Sequence, residues 1–164
     1  MTSRQNFLYP PQLAAPELNT TQWFNGDPTL SLAKLRGKVV VMHAFQMLCP
    51  GCVSHGIPQA QRIHEAFDPG DVAVIGLHTV FEHHLAMQPV SLEAFLHEYR
   101  VSFPVGVDAP DGKDGIPQTM RDYEMRGTPT LILIDRKGYL RYHGFGQVPD
   151  LAVGAAIAQL IAGA

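Results

Sequence analysis

The chain has 164 residues, of which 46% are hydrophobic and 16% are charged, and its formal net charge is −3. This length and composition are typical of one globular domain with a sizeable core, so we predict a single domain over residues 1–164. The chain has no basic block, which removes the electrostatic basis for binding nucleic acid or an anionic membrane surface.

No apolar stretch of the sequence reaches the length of a membrane span. The first residues also lack the apolar centre of a signal peptide, so we expect a cytoplasmic location, or a periplasmic one if a leader has been removed. In the cytoplasm a closely spaced cysteine pair is more often catalytic than a permanent cross-link.

Local sequence signals predict alternating strands and helices. Residues 1–15 are proline-rich and are predicted to form an extended arm. A turn signal at residues 25–28 predicts a short strand on each side, at Trp23-Phe24 and at Thr29-Leu30. Residues 32–35 predict one helical turn. Further strands are predicted at residues 38–45, 72–78, 103–107, 130–134 and 139–144, and helices at residues 50–67 (kinked at Pro58), 91–100 (capped by Ser91), 119–123 and 150–162. This order predicts an α/β fold with a parallel core and a mixed sheet closed by a hairpin.

The only two cysteines lie three residues apart, in the sequence Cys49-Pro50-Gly51-Cys52. They follow a predicted buried strand and begin a predicted helix, an arrangement typical of redox-active pairs. The unpaired N–H groups and the dipole at the start of the helix favour the thiolate of Cys49, the form that attacks disulfides. A zinc site stays open as an alternative, although it needs further ligands, of which His55 has suitable spacing.

Several segments resemble the thioredoxin superfamily, and in particular its TlpA-like or redoxin branch. About 80 residues after the cysteine pair comes Gly127-Thr128-Pro129-Thr130, which resembles the cis-proline segment of that superfamily. Further similar segments are residues 35–41, 74–77, 103–108 and 131–138. The resemblance covers residues 14–162. It implies a thioredoxin-like mixed central sheet flanked by helices on both faces, with an N-terminal β extension and an inserted helix.

The resemblance also implies a thiol–disulfide oxidoreductase in which Cys49 attacks the substrate and Cys52 resolves the mixed disulfide. No cofactor and no metal are expected. Pro129 is expected to form a cis bond with Thr128 and to lie against the pair. The substrate is expected to contact the Thr128 backbone together with Pro50 and Gly51. The implied partners are protein or small-molecule disulfides and dithiols, and a recycling reductase or oxidant. Nothing in the sequence specifies an oligomeric state.

The chain departs from the family pattern around the cysteines. Leu48 stands where the family often has Trp, while His43 and His55 stand where thioredoxins and TlpA-like proteins, respectively, carry an acidic residue. A general base must accept the proton of the resolving cysteine, and a neutral imidazole can do so. We therefore predict that His43 lies beneath the pair and takes part in catalysis, and that His55 modulates the site. A packing role is the alternative for each.

Two other functions stay open. A peroxiredoxin-like thiol peroxidase shares the fold, but peroxiredoxins carry Thr or Ser three residues before the reactive Cys and Pro four residues earlier. Before Cys49 this chain has Gln46 and Met42 at these positions. A metal- or partner-binding thioredoxin-like module is the other alternative. It would use the cysteines with His55, or the histidines at positions 78, 83 and 84.

Overall fold

The computed structural model describes residues 6–163, so residues 1–5 of the predicted arm lie outside the described residues. The remainder of the arm runs beside the last strand of the sheet. The Tyr9 N–H donates to the Arg141 carbonyl over 2.7 Å, and the Ala15 N–H donates to the Gly138 carbonyl over 2.9 Å. These backbone hydrogen bonds hold the arm against the folded body.

Within residues 6–163, six strands form one mixed sheet in the order β1-β4-β3-β2-β5-β6. The strands are β1 (Thr20–Phe24), β2 (Val39–Phe45), β3 (Val72–His78), β4 (Val105–Asp108), β5 (Thr130–Ile134) and β6 (Leu140–Phe145). The pairs β2–β3 and β3–β4 are parallel, and the other neighbouring pairs are antiparallel. The carboxyl ends of β2, β3 and β4 therefore meet at one edge of the sheet, where ligands bind in open α/β folds.

In the part of the chain that the structure describes, four α-helices accompany the sheet. They are α1 (Ile57–Ala66), α2 (Pro89–Glu98), α3 (Gln118–Asp122) and α4 (Asp150–Ile161), with 3₁₀ turns at Ala33–Leu35 and His84–Ala86 and a π turn at Cys52–Gly56. Among residues 6–163, none of the helices is both long and apolar enough to cross a bilayer.

All seven residues of β2 are buried, because helices or loops cover both faces of this central strand. Side chains alternate between the faces, so Val41, His43 and Phe45 share one face. Apolar residues of α1, α2 and α4 pack on that face, whereas α3 packs on the other. The predicted thioredoxin-like sheet with helices on both faces is confirmed, with an uneven distribution of helices.

The predicted strand at Thr29-Leu30 is wrong, and β1 pairs antiparallel with β4 instead. The Asp27 carboxylate accepts hydrogen bonds from the N–H and the hydroxyl of Thr29, both over 2.8 Å. This local turn holds residues 27–30 away from a sheet ladder. The turn signal predicted that β1 would pair with the next few residues of the chain. Its actual partner, β4, lies about 80 residues further along.

Two predicted helix details also differ from the structure. Helix α2 begins at Pro89 after Gln88, rather than after a cap at Ser91. Proline is favoured there because the first turn of a helix needs no N–H donor. The kink of the cysteine helix was predicted at Pro58, but the irregular backbone is the π turn Cys52–Gly56 that precedes it. Pro58 lies in the first turn of α1, where no N–H donor is needed.

Candidate active site

The cysteine pair lies directly beyond the carboxyl end of β2. The intervening loop is fixed by hydrogen bonds from its backbone and side chains. The Met47 N–H donates to Nε2 of the buried His78 over 3.3 Å, and the Gln46 side-chain oxygen accepts from the Phe81 N–H over 3.1 Å. The Cys49 N–H donates to the Gln46 carbonyl over 3.2 Å. The loop therefore delivers Cys49 to the start of the helical segment, as predicted.

Cys49 and Cys52 are joined as a disulfide, with their Cα atoms 5.2 Å apart. Cys49 is half-buried, whereas Cys52 is 0% exposed and belongs to the core. The Cys52 N–H points at the Cys49 sulfur over 3.2 Å. That backbone donor, at the positive end of a helical segment, stabilises negative charge on Cys49 when the pair is reduced.

The Thr128–Pro129 segment lies against the pair, and its peptide bond is cis. The Cys49 sulfur is 3.4 Å from the Thr128 carbonyl oxygen. In the disulfide this is a van der Waals contact, because the sulfur carries no hydrogen, and only the reduced thiol can donate there. A Cβ atom on Gly51 would lie 3.4 Å from the Pro129 ring, so the two segments are close-packed. The residues predicted to contact substrate are therefore brought together.

His43 lies on the covered face of β2, as predicted, and this face packs against α1. The side chain of His43 is 2% exposed. A Cβ atom on Gly56 would be 3.7 Å from His43 Nδ1 and 3.2 Å from the Pro129 Cβ. Gly56 thus lets the imidazole, the π turn and the cis-proline segment meet. The structure places His43 at the base of the site, while its role in proton transfer stays a prediction.

Burial, together with a smaller effect of the neighbouring His55, lowers the pKa of His43 to about 4. The Gln59 amide lies close enough to raise this pKa slightly, but neither ring nitrogen of His43 has a partner at hydrogen-bonding geometry. His55 is half-buried, and its Nε2 atom is buried without a partner as well. His55 therefore lies in the π turn that begins at Cys52, and His43 packs against the same turn.

Three residues near these imidazoles were missed from the sequence. The Gln59 side-chain amide donates to the Val148 carbonyl over 2.7 Å and to Asp150 over 2.8 Å. Arg62 forms an ion pair with Asp150, with its Nε atom 2.8 Å from the carboxylate. Gln59 and Arg62 each lie about 90 residues from their partners Val148 and Asp150 in the chain, and no local pattern reveals such pairings.

Two exposed apolar side chains form an apolar rim next to the two segments that meet at the Cys49 sulfur. Leu48, which replaces the family's Trp, is 58% exposed, and Phe145 at the end of β6 is 52% exposed. A Cβ atom on Gly127 would lie 2.9 Å from the Phe145 ring, so this ring borders the cis-proline segment. The Arg126 guanidinium lies 5.9 Å from the centre of the same ring. The sequence analysis missed Phe145, because it lies 96 residues after Cys49.

The geometry bears on both alternative functions. In residues 6–163 no group of three or more His, Cys, Asp or Glu side chains is placed to hold a metal ion, including the proposed set of both cysteines with His55. Gln46, at the position where peroxiredoxins carry Thr or Ser, uses its side-chain oxygen to fix the loop. Neither observation adds support to a metal module or a peroxidase.

Similar proteins identify the class. The thioredoxin-like superfamily protein SPOA0173 is 61% identical, with a TM-score of 0.89 over 92% of this chain and 97% of that one. A thiol-disulfide isomerase from Corynebacterium glutamicum is 51% identical, with a TM-score of 0.86 over 90% of this chain and 96% of that one. With the fold and the cysteine pair, these similarities define a thioredoxin-like oxidoreductase. The sequence model of the AhpC/TSA family matches residues 11–143, and the chain belongs to that family.

Curated relatives are longer proteins. Protein DipZ of Mycobacterium bovis is 30% identical over 136 residues, which is 81% of this chain and 18% of DipZ. NHL repeat-containing protein 2 of Gallus gallus is 27% identical over 150 residues, which is 90% of this chain and 19% of that protein. The chain therefore spans about a fifth of the length of the curated relatives it matches.

Proposed function

We propose that the chain exchanges disulfides with its substrates through Cys49-Pro50-Gly51-Cys52. The observation that carries the proposal is the disulfide between the half-buried Cys49, whose sulfur lies next to the Thr128–Pro129 segment, and the fully buried Cys52. An accessible sulfur can be reached by a substrate, and a buried one can be reached only by its neighbour. The family and the similar structures support this assignment.

In the reducing direction the Cys49 thiolate attacks one sulfur of a substrate disulfide. A bond forms between Cys49 and that sulfur, and the other substrate sulfur leaves as a thiolate. Cys52 then loses its proton and attacks the Cys49 sulfur, which releases the second substrate thiolate. The substrate gains two electrons, and the chain keeps the Cys49–Cys52 disulfide. The reverse sequence oxidises a substrate dithiol.

The part of the substrate chain that flanks its reactive cysteine lies along the Thr128–Pro129 segment, where that segment leads into β5. Thr128 is half-buried beside the Cys49 sulfur, so its backbone can pair with an extended chain. Pro50 is exposed at the start of the helix and borders the entering sulfur. Leu48 and Phe145 add apolar area on the flanks, which favours unfolded or flexible protein segments over small polar disulfides.

His43 accepts the proton of Cys52 in the resolving step. Its pKa near 4 keeps the imidazole neutral at neutral pH, so it has a free lone pair for the proton. The partners of the pair are protein or small-molecule disulfides and dithiols, and a separate reductase or oxidant that recycles it. The direction of electron flow depends on the reduction potential of the Cys49–Cys52 pair relative to the redox potential of its compartment.

Single-cysteine variants test the exchange function. Cys49→Ser should abolish reduction of a protein disulfide, whereas Cys52→Ser should accumulate a mixed disulfide through Cys49, detectable by mass spectrometry. The potential of the wild-type pair against glutathione gives the direction. Exchange that persists in Cys49→Ser would exclude the proposed chemistry.

The family match makes a thiol peroxidase the second candidate. The reduced protein should therefore also be mixed with hydrogen peroxide. We expect Cys49 to react about as slowly as a free thiolate, because Gln46 supplies no hydroxyl to the peroxide and is held by the Phe81 backbone. A reaction faster by several orders of magnitude would favour the peroxidase.

A further inference from the structure

A cavity lies at the carboxyl ends of β3 and β4, the edge of the sheet at which open α/β folds bind ligands. Its volume is about 280 Å³, which is close to the lower end of the range of ligand pockets, roughly 300 Å³. The walls come from the end of β3, from residues 84–89 around the start of α2, and from the loop that follows β4. The lining is largely apolar and includes Val80, Met87, Pro89, Val107, Pro110 and Pro117. The exchange mechanism leaves this cavity without a role.

The buried His78 lines the cavity and supplies a hydrogen-bond donor. Its Nε2 atom accepts the Met47 N–H over 3.3 Å. Burial lowers the pKa of His78 to about 4, so the ring is neutral at pH 7. A neutral imidazole that accepts a hydrogen bond at one nitrogen carries its proton on the other nitrogen. His78 therefore has an N–H group at Nδ1.

This N–H group points into the cavity without a protein partner. Within residues 6–163, Nε2 is the only atom of the His78 ring that forms a hydrogen bond. In the same part of the chain, the fully enclosed side-chain atoms that lack a partner belong to His43 and His55, so Nδ1 of His78 is not fully enclosed. His78 is 1% exposed and lines the cavity, so the small exposed surface of the ring opens there. An almost completely buried N–H without an acceptor is unfavourable, and a bound molecule can supply that acceptor.

The charges around the cavity disfavour an anion. Asp108 and Asp111 both line it, and none of the described lining residues is Lys or Arg. The carboxylate of Asp108 already accepts hydrogen bonds from a hydroxyl and from two N–H groups of α3. Asp111 is paired with Arg121 over 2.7 Å. The His84 Nε2 atom donates to the Gly115 carbonyl over 3.0 Å, which joins two of the walls. The free donor of His78 therefore suits an acceptor that carries no negative charge.

We propose that this cavity binds a small neutral molecule with a carbonyl oxygen, which accepts a hydrogen bond from Nδ1–H of His78. A ring or short chain of the same molecule packs against the apolar walls. Ketones, amides and esters belong to this class. Binding is noncovalent, and the proposal does not depend on the exchange function.

His78 also connects the cavity to the loop that carries Cys49. The ring donates to the ligand at Nδ1 and accepts from Met47, two residues before Cys49, at Nε2. A hydrogen bond donated at one nitrogen makes the other nitrogen a stronger acceptor, because linked hydrogen bonds polarise one another. The loop is tied to the same region through Gln46, whose side-chain oxygen accepts from the Phe81 N–H. A bound ligand therefore strengthens the attachment of the loop.

Three probes of similar size test the chemistry of the cavity. Acetophenone has a neutral carbonyl, ethylbenzene lacks the acceptor, and benzoate carries a negative charge. Each probe is titrated into the oxidised, ¹⁵N-labelled protein near pH 7, and imidazole and amide ¹H–¹⁵N spectra are recorded. The free protein should show the Nδ1–H tautomer of His78. Acetophenone should bind with a dissociation constant of about 1 mM, shift the His78 Nδ1 resonance, and move the Met47 amide proton downfield.

Ethylbenzene and benzoate should bind at least about fivefold more weakly than acetophenone, since each lacks one feature that the cavity selects. Val80→Phe enlarges a side chain on the wall and should weaken acetophenone binding by about fivefold or more. The matched control is Val90→Phe, at an exposed position outside the lining, and it should leave binding unchanged.

Four results would overturn the proposal. They are an Nε2–H tautomer of His78, no response of His78 to acetophenone, equal affinities for the three probes, and acetophenone binding that Val80→Phe does not weaken. The first three are measured on wild type, so they decide the matter even if Val80→Phe does not fold. A response of His78 with an unchanged Met47 amide would show that the ligand does not act on the cysteine loop.

Discussion

Acidification from pH 7 to pH 5 should destabilise the fold, because two buried histidines must take up protons on unfolding. Burial lowers the pKa values of His43 and His78 from 6.5 to about 4. In the unfolded chain both groups return to ordinary values near 6.5. Between these values the unfolded state binds more protons, so the free energy of unfolding falls as the pH falls.

The size of the effect follows from the two pKa values. At pH 5 an unfolded histidine is almost fully protonated, while His43 and His78 in the folded state are mostly neutral. Each histidine then removes about 2 kcal/mol from the free energy of unfolding relative to pH 7, and the two together remove about 4 kcal/mol. Below pH 4 the folded histidines also protonate, and this loss reaches its limit.

Urea unfolding of the oxidised protein at pH 7, 6 and 5 measures the effect. His43→Gln and His78→Gln should each retain about half of the wild-type loss, and His97→Gln should retain all of it. Burial raises the pKa of Asp108, which acts in the opposite sense, but this contribution is common to every variant and cancels in the comparison. A wild-type loss below about 1 kcal/mol, or variants with the full wild-type loss, would refute the burial argument.

Three further predictions concern the site. Alkylation of the reduced protein near neutral pH should label Cys49 before Cys52, as read by peptide mass spectrometry, and the opposite order would reverse their roles. Gly56→Ala should slow disulfide reduction several-fold with little change in stability. The helical backbone at residue 56 accepts Ala, but the added Cβ would lie 3.2 Å from Pro129 and press on it. An unchanged rate would show that Pro129 moves aside without affecting catalysis. Leu48→Ser and Phe145→Ser should raise KM for a protein disulfide several-fold but not for oxidised glutathione, and equal effects on both substrates would mean that the apolar rim does not bind the polypeptide.

Much of the site could be predicted from the sequence, because its signals are local. The apolar run of β2, the spacing of Cys49 and Cys52 and the Thr128-Pro129 segment each constrain a short stretch of backbone. Alternation along β2 also placed His43 on the covered face that it shares with Val41 and Phe45, since side chains of a strand change face at every residue. The structure agrees with each of these expectations about placement.

Tertiary structure decided what local signals could not specify. The turn signal at residues 25–28 predicted a hairpin, but the Asp27 carboxylate accepts a hydrogen bond from Thr29 and closes a different turn. Strand β1 pairs with β4 instead. The contacts of Gln59 with Asp150, and of Phe145 with the cis-proline segment, join residues far apart in the chain. The packing of β2 against the π turn buries His43, and this burial lowers the pKa of its imidazole. The sequence alone therefore determined which chemical groups are present and how the backbone carries them, whereas the desolvation and charges that set their chemistry arise from contacts between distant segments.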